Sequence, residues 1–120
     1  MASNSPMNLT ELRDELRIFA AERDWDQFHN PKNLASALSV EAAELLEPFQ
    51  WLKTGELPEL DKRKQEAIRH ELADVLIYLV RLADKLDVDL MDAASEKLAH
   101  NRAKYPAEKV RGDSRKYSEY

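Results

Sequence analysis

Apolar residues recur every three or four positions through most of this chain, and that period predicts helices. Leu9, Leu12, Leu16 and Phe19 repeat at helical spacing behind Asn8, with Glu11 placed for a capping box; this predicts a first helix over 8–24. Asn30 followed by Pro31 forms a cap and first-turn proline, after which Leu38, Ala42, Leu45, Leu46, Phe49 and Leu52 form a stripe, so the second helix is expected from there to about residue 53, with Gly55 at its C-terminal stop. Leu72, Val75, Leu76, Leu79, Leu82, Ala83 and Leu86 place a third helix over 61–86. Residues 75–80 are all apolar and resemble a strand, but they sit in more than twenty residues free of Gly and Pro, too long for one. Asp89 caps a fourth helix, with Asp92 placed to reciprocate, running to about residue 104 before Pro106.

The expected architecture is all-α, a bundle of four main helices. Residues 1–7 read as a flexible leader, 8–105 as the single domain and 106–120 as a tail with little core. Residues 25–30 and 54–60 are connectors. Ile77 and Val80 lie off the main stripe of the third helix, so it is apolar nearly all round, and a helix apolar on every side requires burial on every side. A homo-oligomer is therefore expected, simple burial as a central helix being the other reading.

Composition narrows the chemistry. The 120 residues suit one domain. Two glycines leave no Gly-rich phosphate loop, and the absence of cysteine removes disulfides, thiolate metal sites and a Cys nucleophile. A net charge of −5 disfavours a nucleic-acid partner, and no apolar run is long enough for a membrane span. A cytoplasmic location is the expectation. An acidic protein that binds an anionic ligand needs cations between them.

Glu41 and Glu44 are three apart on the second helix, about 60° around its axis, and Glu71 and Asp74 repeat the spacing on the third. Glu41 lies roughly 40° from Leu45, and Glu71 roughly 40° from Val75, so each pair flanks a core-facing seam. Four carboxylates beside a core repel and lose hydration unless a cation joins them, and a hard oxygen-seeking ion such as Mg²⁺ suits them. The spacing alone also admits two solvated acidic faces. Lys97, Asn101 and Lys104 share a face of the fourth helix, suited to phosphate oxygens or simply solvated. Trp25, Phe28 and Trp51 flank loops, available for stacking on a base or for packing. Tyr78 lies about 20° from Glu71 on the wheel, beside the acids. His29, His70 and His100 share no metal-ligand spacing.

Glu41 to Glu44 and Glu71 to Asp74, separated by 26 residues, form an ExxE pair followed by an ExxD pair. This pattern resembles the MazG-like all-α nucleotide pyrophosphohydrolases. Residues 22–29, 49–51, 74–80 and 101–106, together with 111–117 of the tail, look like the dCTP pyrophosphatase branch. The likeness spans roughly 8–117. It implies Mg²⁺-dependent hydrolysis of a nucleoside triphosphate, dCTP or a close relative, to the monophosphate and pyrophosphate. It also implies a dimer of dimers with sites between subunits. By position, Glu41, Glu44, Glu71 and Asp74 would be the catalytic metal ligands. Lys97, Asn101, Lys104 and Tyr105 would hold phosphates, and Trp25, His29, Trp51 and Tyr78 would shape the nucleoside pocket. Two positions depart from the branch: Lys104 replaces an arginine, losing a bidentate fork, and Leu16 replaces a histidine. Substrates such as dUTP or a broader set of triphosphates, and a non-catalytic oligomerisation or protein-binding module, stand as the alternatives.

Overall fold

The computed structural model describes residues 7–113. Within them the chain forms α1 (Leu9–Glu22), α2 (Pro31–Leu46), α3 (Lys62–Lys85), α4 (Leu90–Lys104) and a short α5 (Ala107–Val110). No strand occurs among the described residues. Most of the predicted leader, and residues 114–117 of the tail likeness, lie outside them. The described part of the tail contains the short α5, none of whose residues is buried.

Each long helix begins at a side-chain cap. Asn8, Asn30, Asp61 and Asp89 accept from the backbone amides of Glu11, Asn33, Lys64 and Asp92 at 2.8–3.0 Å. Such a cap contributes about 1 kcal/mol and fixes the first turn. At the N-terminus of α1 the reciprocal bond runs from Asn8 Nδ2 to Glu11 Oε1, 2.9 Å, so the glutamate returns to the cap's side chain.

The ends were less legible. Helix α1 stops with Asp24 in the left-handed region at φ 54°, while Trp25 N–H bonds Ala20 O at 2.9 Å and Asp24 N–H bonds Ala21 O at 3.1 Å. This double bond pattern needs a residue tolerant of positive φ, and aspartate takes the place of the usual glycine. Asp87, φ 56°, stands at the corresponding place after α3. Helix α2 ends at Leu46, well short of residue 53, and residues 47–54 form turns. Pro48 accounts for the early stop: it has no N–H to donate and its ring crowds the carbonyl one turn back. Both connectors contain a 3-10 turn, Asp26–Phe28 and Leu57–Glu59.

The chain divides into two compact units, one ending at Asp87 and one beginning at Val88. In the first, α3 packs against α2 and also meets α1. His29, just before α2, bonds Arg81 late in α3, whereas Glu41 farther along α2 lies against Glu71 early in α3. Helices α2 and α3 therefore run antiparallel. The most buried apolar residues are Ala20, Leu34, Val80 and Ala83. Val80, expected off the stripe, is among the most enclosed residues of α3, while Leu72, Leu76, Leu79 and Leu86 of the predicted stripe are exposed in the single chain. Two helices on one flank of α3 bury the side toward Val80 and Ala83, and the leucine ridge is left over. The second unit contains α4 and α5, with Tyr105 ending α4 through a 2.8 Å bond from its N–H to Asn101 O. No helix among the described residues is long and apolar enough to cross a membrane.

Candidate active site

Helices α2 and α3 bring Glu41, Glu44 and Glu71 together, one carboxylate oxygen from each lying within 4.8 Å of the others. Three-residue spacing puts Glu41 and Glu44 on one face of α2, and the antiparallel pairing sets that face opposite Glu71. Glu41 Oε2 and Glu71 Oε2 are buried and receive no hydrogen bond. An ionised carboxylate only accepts, so two of them can bond only by sharing a proton. Burial, then the bond with Glu71, then the charge of Glu44 push the Glu41 carboxyl up from 4.5 to about 7, and the charge of Asp74 adds to the same effect. Asp74 thus lies near enough to act on Glu41, though it is not one of the three converging groups.

Buried carboxylate oxygens without donors, gathered among other acids, suit a cation. The donor set is all oxygen and half-buried, which fits a hard divalent ion such as Mg²⁺ and offers nothing to a soft one. Glu41, Glu44 and Glu71 would hold the ion, with Asp74 the nearest further carboxylate.

At the other end of the α2–α3 pair stands an aromatic and charged group. The turn after α1 delivers Trp25, whose ring meets Phe19 edge-on at 5.6 Å and His29 at 6.2 Å. Asn33 Nδ2 donates to Phe28 O at 2.9 Å, tying this turn to the first turn of α2. Beneath it lies Arg81, only 3% exposed. Its guanidinium donates to Asp26 Oδ1 at 2.8 Å and contacts His29 Nδ1 at 3.1 Å; Lys85 Nζ reaches the same Asp26 oxygen at 3.1 Å. Asp84 lies 3.9 Å from Arg81 and takes a two-pronged bond from Arg17 at 2.6 and 2.8 Å. Arg81, and then Lys85, hold the Asp26 carboxyl below its usual range; Arg17 does the same for Asp84. Burial, reinforced by the Arg81 charge, lowers the His29 pKa. The sequence reading named His29 but missed Asp26, Arg81, Asp84 and Arg17. The available signal was an arginine between Val80 and Leu82 in an otherwise apolar run.

Trp51 stands 88% exposed on the turn that follows Pro48. One carboxylate shapes the neighbouring loop: Glu59 accepts from the N–H groups of Lys53, Thr54 and Gly55 and from the Thr54 hydroxyl, at 2.7–3.0 Å. These bonds hold Glu59 down at about 2. Gly55 has φ +75°, and a Cβ there would lie 2.7 Å from Phe49 Cδ1. Tyr78 is half-buried on α3, one helical turn beyond Asp74. In the second unit, Lys97 is exposed while Asn101, Lys104 and Tyr105 are half-buried near the C-terminal end of α4, with Lys104 Nζ 5.7 Å from the Tyr105 ring.

An all-α chain in which two antiparallel helices bring three glutamates together, with Asp74 nearby, falls in the class of helical proteins with an acidic inter-helix site able to take a cation. Residues 36–120 match the model of the MazG-like family, and the chain belongs to that family. It is 52% identical over 113 residues to dCTP pyrophosphatase 1 of Homo sapiens, covering 92% of this chain and 66% of that protein. It is 44% identical over 119 residues to dCTP pyrophosphatase 1 of Bos taurus, covering 97% and 70%. The chain thus spans about two-thirds of the length of these relatives. Among solved structures it is similar to a pyrophosphatase from Archaeoglobus fulgidus, with a TM-score of 0.76 and 40% identity over 88% of this chain and 99% of that one.

Proposed function

We propose that this chain is a Mg²⁺-dependent nucleoside triphosphate pyrophosphohydrolase acting on dCTP or a closely related, possibly modified, cytosine deoxynucleotide. The products are the monophosphate and pyrophosphate. The observation that carries the reading is the group of three converging glutamates whose two buried oxygens lack donors and whose Glu41 is pushed up to about 7. The relatives named as dCTP pyrophosphatases support the substrate.

The reaction is attack of water on the α-phosphorus with pyrophosphate leaving, and a bound cation would supply charge neutralisation of the triphosphate. The protein's own residues do the rest. Glu41, Glu44, Glu71 and Asp74 would hold the ion at the half-buried seam between α2 and α3. Trp25 and Trp51 offer rings for stacking on the base, while His29 and Tyr78 offer polar edges. Lys97, Asn101, Lys104 and Tyr105 supply cations, an amide and a hydroxyl suited to phosphate oxygens. The exposed leucine ridge of α3 supports a homo-oligomer, a dimer of dimers with sites completed between copies. We assign the activity to the cytoplasm, with no nucleic-acid or membrane partner.

Pyrophosphate release from dCTP, 5-methyl-dCTP, dUTP and dTTP, with Mg²⁺ and with EDTA, tests the reading. The cytosine nucleotides are expected to turn over fastest and all turnover to stop in EDTA. Undiminished activity in EDTA would end the metal assignment; preference for dUTP would move the substrate.

A further inference from the structure

We infer that Arg81 is a positioning residue that fixes His29 as a neutral hydrogen-bond donor toward the base of the nucleotide. The inference rests on the proposed nucleoside role of Trp25 and His29 and deepens it.

A guanidinium has five N–H donors and no acceptor, and it keeps its charge. The 3.1 Å contact between an Arg81 terminal nitrogen and His29 Nδ1 is therefore a hydrogen bond only if Nδ1 accepts. The ring proton must then sit on Nε2, the nitrogen farther from Arg81. The same contact opposes a second proton, because an imidazolium would present N–H against N–H beside a fixed positive charge. Burial and the Arg81 charge both work against protonation, as does Lys85, with Asp26 alone opposing them. His29 becomes a one-proton donor of fixed orientation.

Burying a guanidinium is costly, and this one is 3% exposed with an Nε that finds no acceptor. Tying α1 to α3 does not require it, since Arg17 already bonds Asp84 with both prongs. Lys85 also reaches Asp26 from α3, but it is Arg81 that contacts the His29 ring as well, holding Asp26 and the ring with one terminal nitrogen. The result suits a base-reading residue. A cationic histidine would attract any triphosphate whatever its base, whereas a neutral Nε2–H distinguishes an acceptor edge from a donor edge. Cytosine presents an unprotonated ring N3, where uracil and thymine carry an N–H. The ligand class that fits is therefore a pyrimidine with an acceptor at that position.

Two measurements on the full chain decide this. Long-range proton–nitrogen correlation spectra of the histidine-labelled wild type at neutral pH are expected to show His29 protonated on Nε2 alone. A ring protonated on Nδ1 overturns the inference, whether or not any variant folds. The second measurement is a kinetic cycle with dCTP using Arg81→Met, His29→Gln and the double variant. Arg81→Met is expected to raise KM about tenfold, as for loss of one oriented hydrogen bond, with kcat little changed. In the His29→Gln background the same change should move KM far less, because an amide donor has no tautomer to fix. Equal effects in both backgrounds would reduce Arg81 to a structural part and overturn the inference. A wild type that leaves dCTP intact overturns the enzymatic reading and the base-reading role with it, while the spectra still decide the tautomer.

Discussion

Replacing Glu41 with Gln isolates the electrostatic load of the carboxylate cluster. In the folded chain Glu41 sits at about 7, against 4.5 for an ordinary glutamate. Folding therefore favours its protonated form; that stability is fully present below pH 4.5 and is lost as pH rises through 7. A separation of about 2.5 pH units, at about 1.4 kcal/mol for each, sets a ceiling of about 3.5 kcal/mol. Solvent screens part of that load at this half-buried side chain, so about 1–2 kcal/mol is expected to appear on substituting it. Glutamine keeps the shape, removes the charge and brings an amide that can donate to the orphaned Glu71 oxygen. In EDTA at pH 8, Glu41→Gln should be more stable than the wild type by that amount, and at pH 4.5 no more stable. Urea unfolding followed by circular dichroism between pH 4.5 and 8.5 measures this. Adding Mg²⁺ at pH 8 should raise the wild-type midpoint and leave the variant nearly unmoved. Parallel stability curves for the two proteins in EDTA would refute the reasoning, since Glu41 would then carry no load for a cation to relieve.

Other perturbations probe the rest of the frame. Asp74→Asn should retain full helix content yet lose most pyrophosphate release, measured by circular dichroism and product analysis. Gly55→Ala must adopt a positive φ and press a methyl on Phe49, so it should cost about 1–2 kcal/mol in chemical denaturation. Glu59→Gln weakens the acceptor for three amides, and hydrogen exchange at Lys53, Thr54 and Gly55 should accelerate; the wild type should show the same loosening as pH falls from 4.5 toward 2. Asp84→Asn should lower the melting temperature by a few degrees at pH 7. Because Arg17 holds Asp84 below 3.8, that difference is present above 3.8 and should vanish as pH falls through the lowered value.

The helix starts were legible because each is written locally. Asn8, Asn30, Asp61 and Asp89 cap amides three residues on, and such short-range chemistry survives any tertiary context. The Glu41 and Glu44 pair was legible for the same reason, since three-residue spacing on a helix places two side chains together before any packing is known; their meeting with Glu71 needed the fold. Helix α2 was drawn too long because the stripe continues through Phe49 and Leu52, and periodicity outweighed Pro48, whose missing donor is the stronger constraint. Which side of α3 the single chain buries was not legible, because a helix apolar nearly all round gives no phase; Val80 is enclosed by neighbours that only the fold supplies. Arg81 with Asp26 and His29 had no local signature at all. Partners more than fifty positions apart meet only once α3 has folded back along α2.

Pro48 has an optical consequence as well. By ending α2 early it leaves Trp51 88% exposed, whereas Trp25, the only other indole, is about half as exposed with its ring against Phe19 and His29. The chain thus carries its own fluorophore at the tip of a braced loop. Any molecule that settles over that ring, a nucleotide or another polypeptide, will shift its emission to shorter wavelength, so occupancy can be followed without attaching a dye.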